Sequence, residues 1–176
     1  MKKIFTLITL VILFVSPIIS QTKAEKKTAK EAVAVKEYEA MKVLINAESY
    51  TFEGEWATSN KGRRINLISN PTFIKMEAKN ADAFLPFFGT AHSGAGYGGS
   101  EGGIEFKGEI QNYEVSFNDK KKKGTIKFKA KSKSSENYDI TITINGSTSA
   151  TVNINSSNRS TMNYSGKIKK FEKKKE

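Results

Sequence analysis

His92 is the only histidine among the 176 residues, and Ser93, Ser100 and Glu101 stand close to it in the chain. Serine, histidine and acid are the parts of a hydrolytic triad, in which the imidazole takes the hydroxyl proton and the carboxylate orients the ring. The surroundings argue against that use. The nearest serines sit in flexible glycine, which holds catalytic geometry poorly, and no strand-to-helix turn of the kind that forms a nucleophile elbow encloses them. Metal chemistry fares no better. One histidine cannot build a multi-histidine site, and a chain without cysteine lacks the familiar zinc sites. No metal and no cofactor are expected.

The neighbouring Gly94-Ala95-Gly96-Tyr97-Gly98-Gly99 has the spacing of a dinucleotide fingerprint. That motif needs a strand before it and a helix N-terminus after it, whereas Ile104 onward alternates like a strand. The pairs Glu53 and Glu55, and Glu105 and Glu109, share a strand face by parity, and surface charge explains them simply.

The more telling chemistry is apolar. Phe84-Leu85-Pro86-Phe87-Phe88-Gly89 resists a strand reading and runs into a loop that is half glycine. Ordering such a loop costs entropy, so Phe84, Phe87 and Phe88 are expected to tie it down. The segment from Gly89 to Gly103 is then expected to pack over one end of the domain. Phe84, Phe87, Phe88, His92, Tyr97 and Glu101 are the candidate ligand-binding residues.

Basic residues form the second candidate set. The formal charge is +11, concentrated in Lys120 to Lys123 and in the tail from Lys167 to Lys175. Such a surplus favours phosphate-bearing or otherwise anionic partners. Lys121, Lys122, Lys127 and Lys129 are the candidate anionic-surface residues, with a solvated surface as the simpler explanation.

The compartment narrows the partner. Lys2 and Lys3 precede an apolar run from Ile4 to Val15, with only Thr6 and Thr9 inside it, then Ser16-Pro17-Ile18-Ile19-Ser20. This is the layout of a secretory signal peptide cleaved near Ser20. The run is shorter than the roughly 20 apolar residues of a stable span. No cysteine follows the cleavage site to carry a lipid anchor. A soluble periplasmic or secreted protein is expected, for which nucleic acid is a poor partner and envelope components a better one.

The elements that must position these groups follow from periodicity. After a polar linker over 21–27, Thr28 and Glu31 have capping-box spacing. Ala34, Tyr38, Met41 and Ile45 then form one apolar stripe on a helix ending near Asn46. From Tyr50 the period becomes two. Tyr50-Phe52-Gly54-Trp56, Ile74-Met76-Ala78, Ile104-Phe106-Gly108 and Tyr113-Val115-Phe117 each alternate with polar residues. Ile126-Phe128-Ala130, Tyr138 to Ile144, Ala150 to Ile154 and Met162 to Ile168 do the same. Asn145-Gly146 is the strongest hairpin signal.

The second half reads as a five-strand antiparallel meander. The whole is expected to be all-β with one N-terminal helix, closing as a lipocalin-like barrel, with a β-sandwich as the alternative. Lys127, Lys129, Lys131, Glu105 and Asp139 between the apolar positions exclude a lipid-facing exterior. The expected division is a single domain over 28–168 and a basic flexible tail over 169–176.

Leu85-Pro86-Phe87-Phe88-Gly89, Tyr97-Gly98-Gly99-Ser100-Glu101-Gly102-Gly103-Ile104-Glu105-Phe106, Asn145-Gly146 and Arg159 before Tyr164-Ser165-Gly166 resemble a secreted bacterial family catalogued as domain of unknown function 4251. The likeness covers about Tyr50 to Ile168. It implies export and a single domain, and no activity comes with it.

The expected function is a non-catalytic exported binding or interaction module of the cell envelope. Its ligand would be a small apolar or amphipathic molecule, or a protein partner, at the barrel mouth. The alternatives are an envelope-surface protein whose lysines bind anionic lipid or glycan, and a hydrolase using His92.

Overall fold

Alternating side chains in the second half leave each strand one apolar face, and that face needs a continuous partner. The computed structural model describes residues 23–91, 103–133 and 135–172. The chain divides between Ala32 and Val33 into two units. The first holds the N-terminal turns of helix α1 (Lys23–Asn46). The helix is already formed at Lys23, so Thr28 and Glu31 lie inside it rather than at its cap, and the expected polar linker is helical from that point. The second unit holds the remainder of α1 and the sheet.

The strands are β1 (Ser49–Ser59), β2 (Arg64–Asn66), β3 (Phe73–Glu77), β4 (Asn80–Pro86), β5 (Gly103–Glu109), β6 (Gln111–Asn118), β7 (Lys123–Lys131), β8 (Asn137–Asn145), β9 (Ser149–Ser156) and β10 (Met162–Lys170). All belong to one 10-stranded sheet in the order β5-β4-β3-β1-β10-β9-β8-β7-β6, with β2 on the far part of β1. Every pairing is antiparallel. The architecture is a nearly closed, lipocalin-like barrel, not a sandwich, and β6 to β10 are the expected five-strand meander. Closure depends on β1 meeting β10, and the ring stays open between β5 and β6.

The core lies on the inner face. Phe52, Ile74, Leu85, Ile104, Ile126, Ile142, Val152 and Tyr164 are essentially inaccessible there. The helix contributes Tyr38, Met41 and Ile45 to the same cluster, three of the four residues of its expected stripe. Ala34 is half-buried. Val33, Val35 and Val43 stay exposed.

Three departures from simple alternation have physical causes. The β1–β10 register shifts between Gly54 and Trp56. This bulge inserts one residue and reverses the parity beyond it. Phe52 faces inward, but so do Ala57 and Ser59, leaving Trp56 half-exposed on the outer face. The close approach at the bulge requires Gly166, because a Cβ there would run into the carbonyl of Glu53.

Second, β4 is a full strand where none was expected. Its inward residues are Ala81, Ala83 and Leu85, so its buried face is small and the sequence shows the large outward Phe84 instead. Ala78, expected inward, turns between β3 and β4 with φ 52. Third, β10 continues through Lys170, so the first residues of the expected tail are strand. At the β8–β9 turn Asn145 pairs with Ser149, and only Gly146 takes a positive φ, of 65°.

Among the described residues no helix is long and apolar enough to cross a membrane. The outer face carries exposed Lys75, Lys127, Lys129, Lys167 and Lys169.

Candidate functional site

Glu136 is a carboxylate that the fold buries. The chain leaving β7 turns at Ser132, whose amide donates to the Glu136 carbonyl at 2.9 Å. The Ser132 hydroxyl in turn accepts from the Glu136 amide at 3.0 Å. The turn places the Glu136 side chain at 3% exposure, where an unpaired carboxylate would cost several kcal/mol, of the order of ~3–5.

Every neighbour answers that charge. The Arg159 Nε donates to both carboxylate oxygens at 3.1 Å. The Tyr138 hydroxyl donates to Oε2 at 3.0 Å, and the Ser156 hydroxyl donates to Oε1. Charge-assisted bonds of this kind are the strong ones. Burial, and then the carboxylate it donates to, push the Tyr138 phenol far above its ordinary value. It therefore remains a hydrogen-bond donor.

Arg159 also reaches outward. Its Nη1 donates to the Gly103 carbonyl at 2.9 Å, and its guanidinium lies 5.2 Å from the centre of the Phe87 ring. Its backbone bridges to Ala91. Beside it, the Ser160 hydroxyl accepts from the Thr90 amide and the Ser160 amide donates to the Thr90 carbonyl, both at 2.9 Å. Ala91 and Gly103 are the last described residues before and the first after the glycine-rich segment. One arginine thus holds both. Tyr164 adds a bond to the Pro86 carbonyl at 2.9 Å.

The network borders the open seam. Among the described residues β5 pairs only with β4, and β6 only with β7. Phe106 of β5 spans the interior to the rings of Phe128 and Tyr138, at 6.3 and 5.8 Å. Above that contact the seam opens into a cleft of about 430 Å³ between Lys107–Glu109 and the Lys129–Lys131 and Asn137–Asp139 stretches. A second cleft of about 330 Å³ shares Phe106, Lys107 and Tyr138 with it and reaches Lys133 and Arg159.

The sequence-level candidates fall in different places. Phe84 is half-buried on the outer face of β4, against Gly103. Phe87 and Phe88 are half-buried and pack on the core. Gly89 is confined between the Phe87 ring and the Ser160 hydroxyl. His92, Tyr97 and Glu101 lie outside the described residues, as do the signal segment and most of the loop. Ser100, also outside the described residues, is centred in Gly98-Gly99-Ser100-Glu101-Gly102, the spacing of a nucleophile elbow, but the next residue, Gly103, opens strand β5 and not a helix.

Lys121 is exposed and Lys122 half-exposed at the β6–β7 turn, where the Lys121 amide donates to the Asn118 side chain at 3.0 Å. Lys127 and Lys129 project outward from β7. Phe87 lies beside Arg159 and Phe84 against Gly103, and the lysines occupy the β6–β7 turn and the outer face of β7. Glu136, Tyr138, Ser156 and Arg159 were not foreseen as a site. Glu136 sits in what reads as a hydrophilic turn, and only Arg159 carried a signal, through the family pattern. Among the described residues no cluster of His, Asp or Glu could hold a metal ion.

These features define a class: a single-sheet, helix-bearing barrel with one open seam and a buried arginine–glutamate clasp beside it. The family model described as domain of unknown function (DUF4251) matches residues 32–168, and the chain belongs to that family. The match takes in part of the helix as well as the strands. The crystal structure of a DUF4251 family protein from Bacteroides eggerthii DSM 20697, at 1.95 Å resolution, is similar with a TM-score of 0.58 at 22% identity. The likeness covers 79% of this chain and 91% of that one, and it shows a shared fold. No curated protein matches the chain.

Proposed function

We propose that this protein is a non-catalytic, exported binding module of the cell envelope, and that its ligand is an extended segment of a partner protein lying in the open seam. The observation that carries this reading is the unpaired outer edge of β5. The free edge of β5 at Lys107–Glu109 faces, across a cleft, the end of β7 at Ala130–Lys131, which runs past its pairing with β6. Free edges offer a row of backbone donors and acceptors, and an added strand satisfies them. The Arg159–Glu136 clasp supports this reading by fixing the upper end of β5, so that the edge is pre-formed rather than assembled on binding.

The interior supports a partner outside the barrel rather than a ligand within it. Aromatic and branched side chains from all around the ring fill the core. Phe87 and Phe88 are committed to that packing. The Glu136 oxygens are fully engaged, so the clasp offers no free acid or base.

A photo-crosslinking residue at Lys107, Glu109 or Lys131, introduced into the full chain in the native envelope, tests the reading. Discrete protein adducts are expected from these positions and none from Lys167 of β10, midway around the ring from the seam. Equal labelling from every position, or none from the seam, overturns it.

A second reading has its own observation. Lys127, Lys129 and Lys131 are exposed along one strand, continuing outward from the lysine turn, which suits an anionic lipid or glycan surface.

A further inference from the structure

The outer face of the closed wall is unusual for this chain. Lysines and acids crowd most of the surface, yet a continuous field across β8, β9 and β10 carries only hydroxyl and amide side chains. The register aligns them in rows. Thr143 stands opposite Thr151, Thr151 opposite Ser165, and Ser165 opposite Trp56 of β1. In the next row Thr141, Asn153, Asn163 and Thr58 follow in the same order.

Asparagine is depleted in strands, so Asn153 and Asn155 within β9 and Asn163 within β10 need a reason. The Asn153 amide donates to the Asn163 side chain at 2.8 Å, and Asn155 donates to the Asn153 carbonyl oxygen at 3.2 Å. These bonds fix the amide orientations in a ladder. The Thr161 hydroxyl completes the ladder by donating to the Asn155 side chain at 2.7 Å, and Thr141, Thr143, Thr151, Asn153, Asn163 and Ser165 are half-buried, so part of each stays open to solvent. At the end of the first row the bulge has turned Trp56 outward, half-exposed, with the Arg64 guanidinium 4.3 Å from its ring centre.

We propose that this face is a binding platform for a neutral polysaccharide, lying across the strands with a sugar ring stacked at Trp56. Strand spacing of about 4.8 Å is close to the repeat of an extended hexopyranose chain, so successive rings meet successive strands. Hydroxyls and amides exchange hydrogen bonds with sugar hydroxyls at each step. The Arg64 guanidinium lies over one face of the indole, and the rest of the half-exposed ring supplies the apolar surface that a sugar's C–H face prefers. The other occupants lack a counterpart. A lipid surface or a protein anchor would need exposed apolar side chains, and nucleic acid would need cations within the field rather than at its margins, where Lys127 and Arg64 stand. This site is separate from the seam, and it stands or falls independently of the strand-capture reading.

Affinity electrophoresis of the folded chain in gels containing hydroxyethyl cellulose, soluble starch or a soluble β-1,3-glucan tests the proposal, with polygalacturonate as the acidic control. At least one neutral polymer should retard the protein. The Trp56→Ala and Thr151→Lys variants should each weaken that retardation at least tenfold while circular dichroism stays unchanged. Asn163→Ala provides a milder third variant should either of these unfold. No retardation by any neutral polymer overturns the proposal. Retardation by polygalacturonate alone, abolished by salt, or retardation that the variants leave intact, does so too.

Discussion

Two ion-pair clasps in this molecule are built from the same parts and differ in burial. In each, a carboxylate accepts from a cation and from a tyrosine hydroxyl. Glu136 accepts from Arg159 and Tyr138. Asp119, in the β6–β7 turn, accepts from Lys42 at 2.9 Å and from Tyr38 at 2.9 Å. Glu136 is 3% exposed and Asp119 76% exposed. The first clasp joins the seam to the glycine-rich segment's two ends; the second ties helix α1 to a hairpin turn. Burial decides what each can do. In low dielectric an unanswered charge is costly, so the inner clasp acts as a unit, whereas water replaces any partner lost from the outer one.

The largest effect should come from breaking the inner clasp on one side. Arg159→Ala or Glu136→Ala should destabilise the protein by about 3–5 kcal/mol, read as a lowered urea midpoint at unchanged slope. Replacing both at once, Glu136→Leu with Arg159→Met, should recover most of that loss, because a well-packed apolar pair removes both desolvation penalties. Amide exchange at Thr90, Ala91 and Gly103 should rise in the single variants. Single variants no more costly than Asp119→Asn would erase the contrast between the two clasps.

A smaller effect is expected at the outer clasp, and it should depend on pH. Hydrogen bonds from Lys42 and then Tyr38 hold the Asp119 carboxyl below its ordinary value of 3.8. A depressed folded value means that the folded state favours the ionised group. Its stabilisation is therefore present above pH 3.8 and is lost as pH falls through the lower folded value. Asp119→Asn should leave the neutral-pH midpoint nearly unchanged. The small gap from the parent should close on acidification through that window. A gap that grows as pH falls would contradict the assignment.

Much of this was legible in the sequence, and the failures have identifiable causes. Period-two runs from Tyr113 to Ile168 gave all five strands of the meander, because Ile, Val, Phe and Tyr face one way with Lys, Thr and Asn between them. The helix stripe Tyr38, Met41 and Ile45 was equally plain. β4 escaped because alanines form its inner face and the conspicuous Phe84 points outward. Trp56 changed sides because one bulge residue reverses parity, and pattern alone does not reveal a bulge. Expected site residues clustered by composition around the glycines, whereas the clasp joins Glu136, Arg159 and Gly103 across long stretches of chain. No local spacing encodes such a meeting. Only Arg159 stood out, through its place before Tyr164-Ser165-Gly166.

The exposed lysines extend the outer half of the comparison to its limit. Lys129 pairs with Asp139 at 3.3 Å, both more than half exposed, and such a pair contributes little, about 0–1 kcal/mol. Changing Lys121, Lys122, Lys127 and Lys129 to glutamine should therefore shift the melting temperature hardly at all, since the first two lie in the turn and parity points the other two away from the core. Such outward lysines also discourage strand-edge pairing, so the solvated surface remains their simplest use. The second use proposed for them is electrostatic. Each lysine near an anionic membrane contributes about 1 kcal/mol of attraction, and four act together. Binding to vesicles rich in anionic lipid should fall steeply in the variant and in the parent as salt rises. A parent that ignores such vesicles at low salt, or a variant that binds as well as the parent, returns these lysines to a purely solvating role.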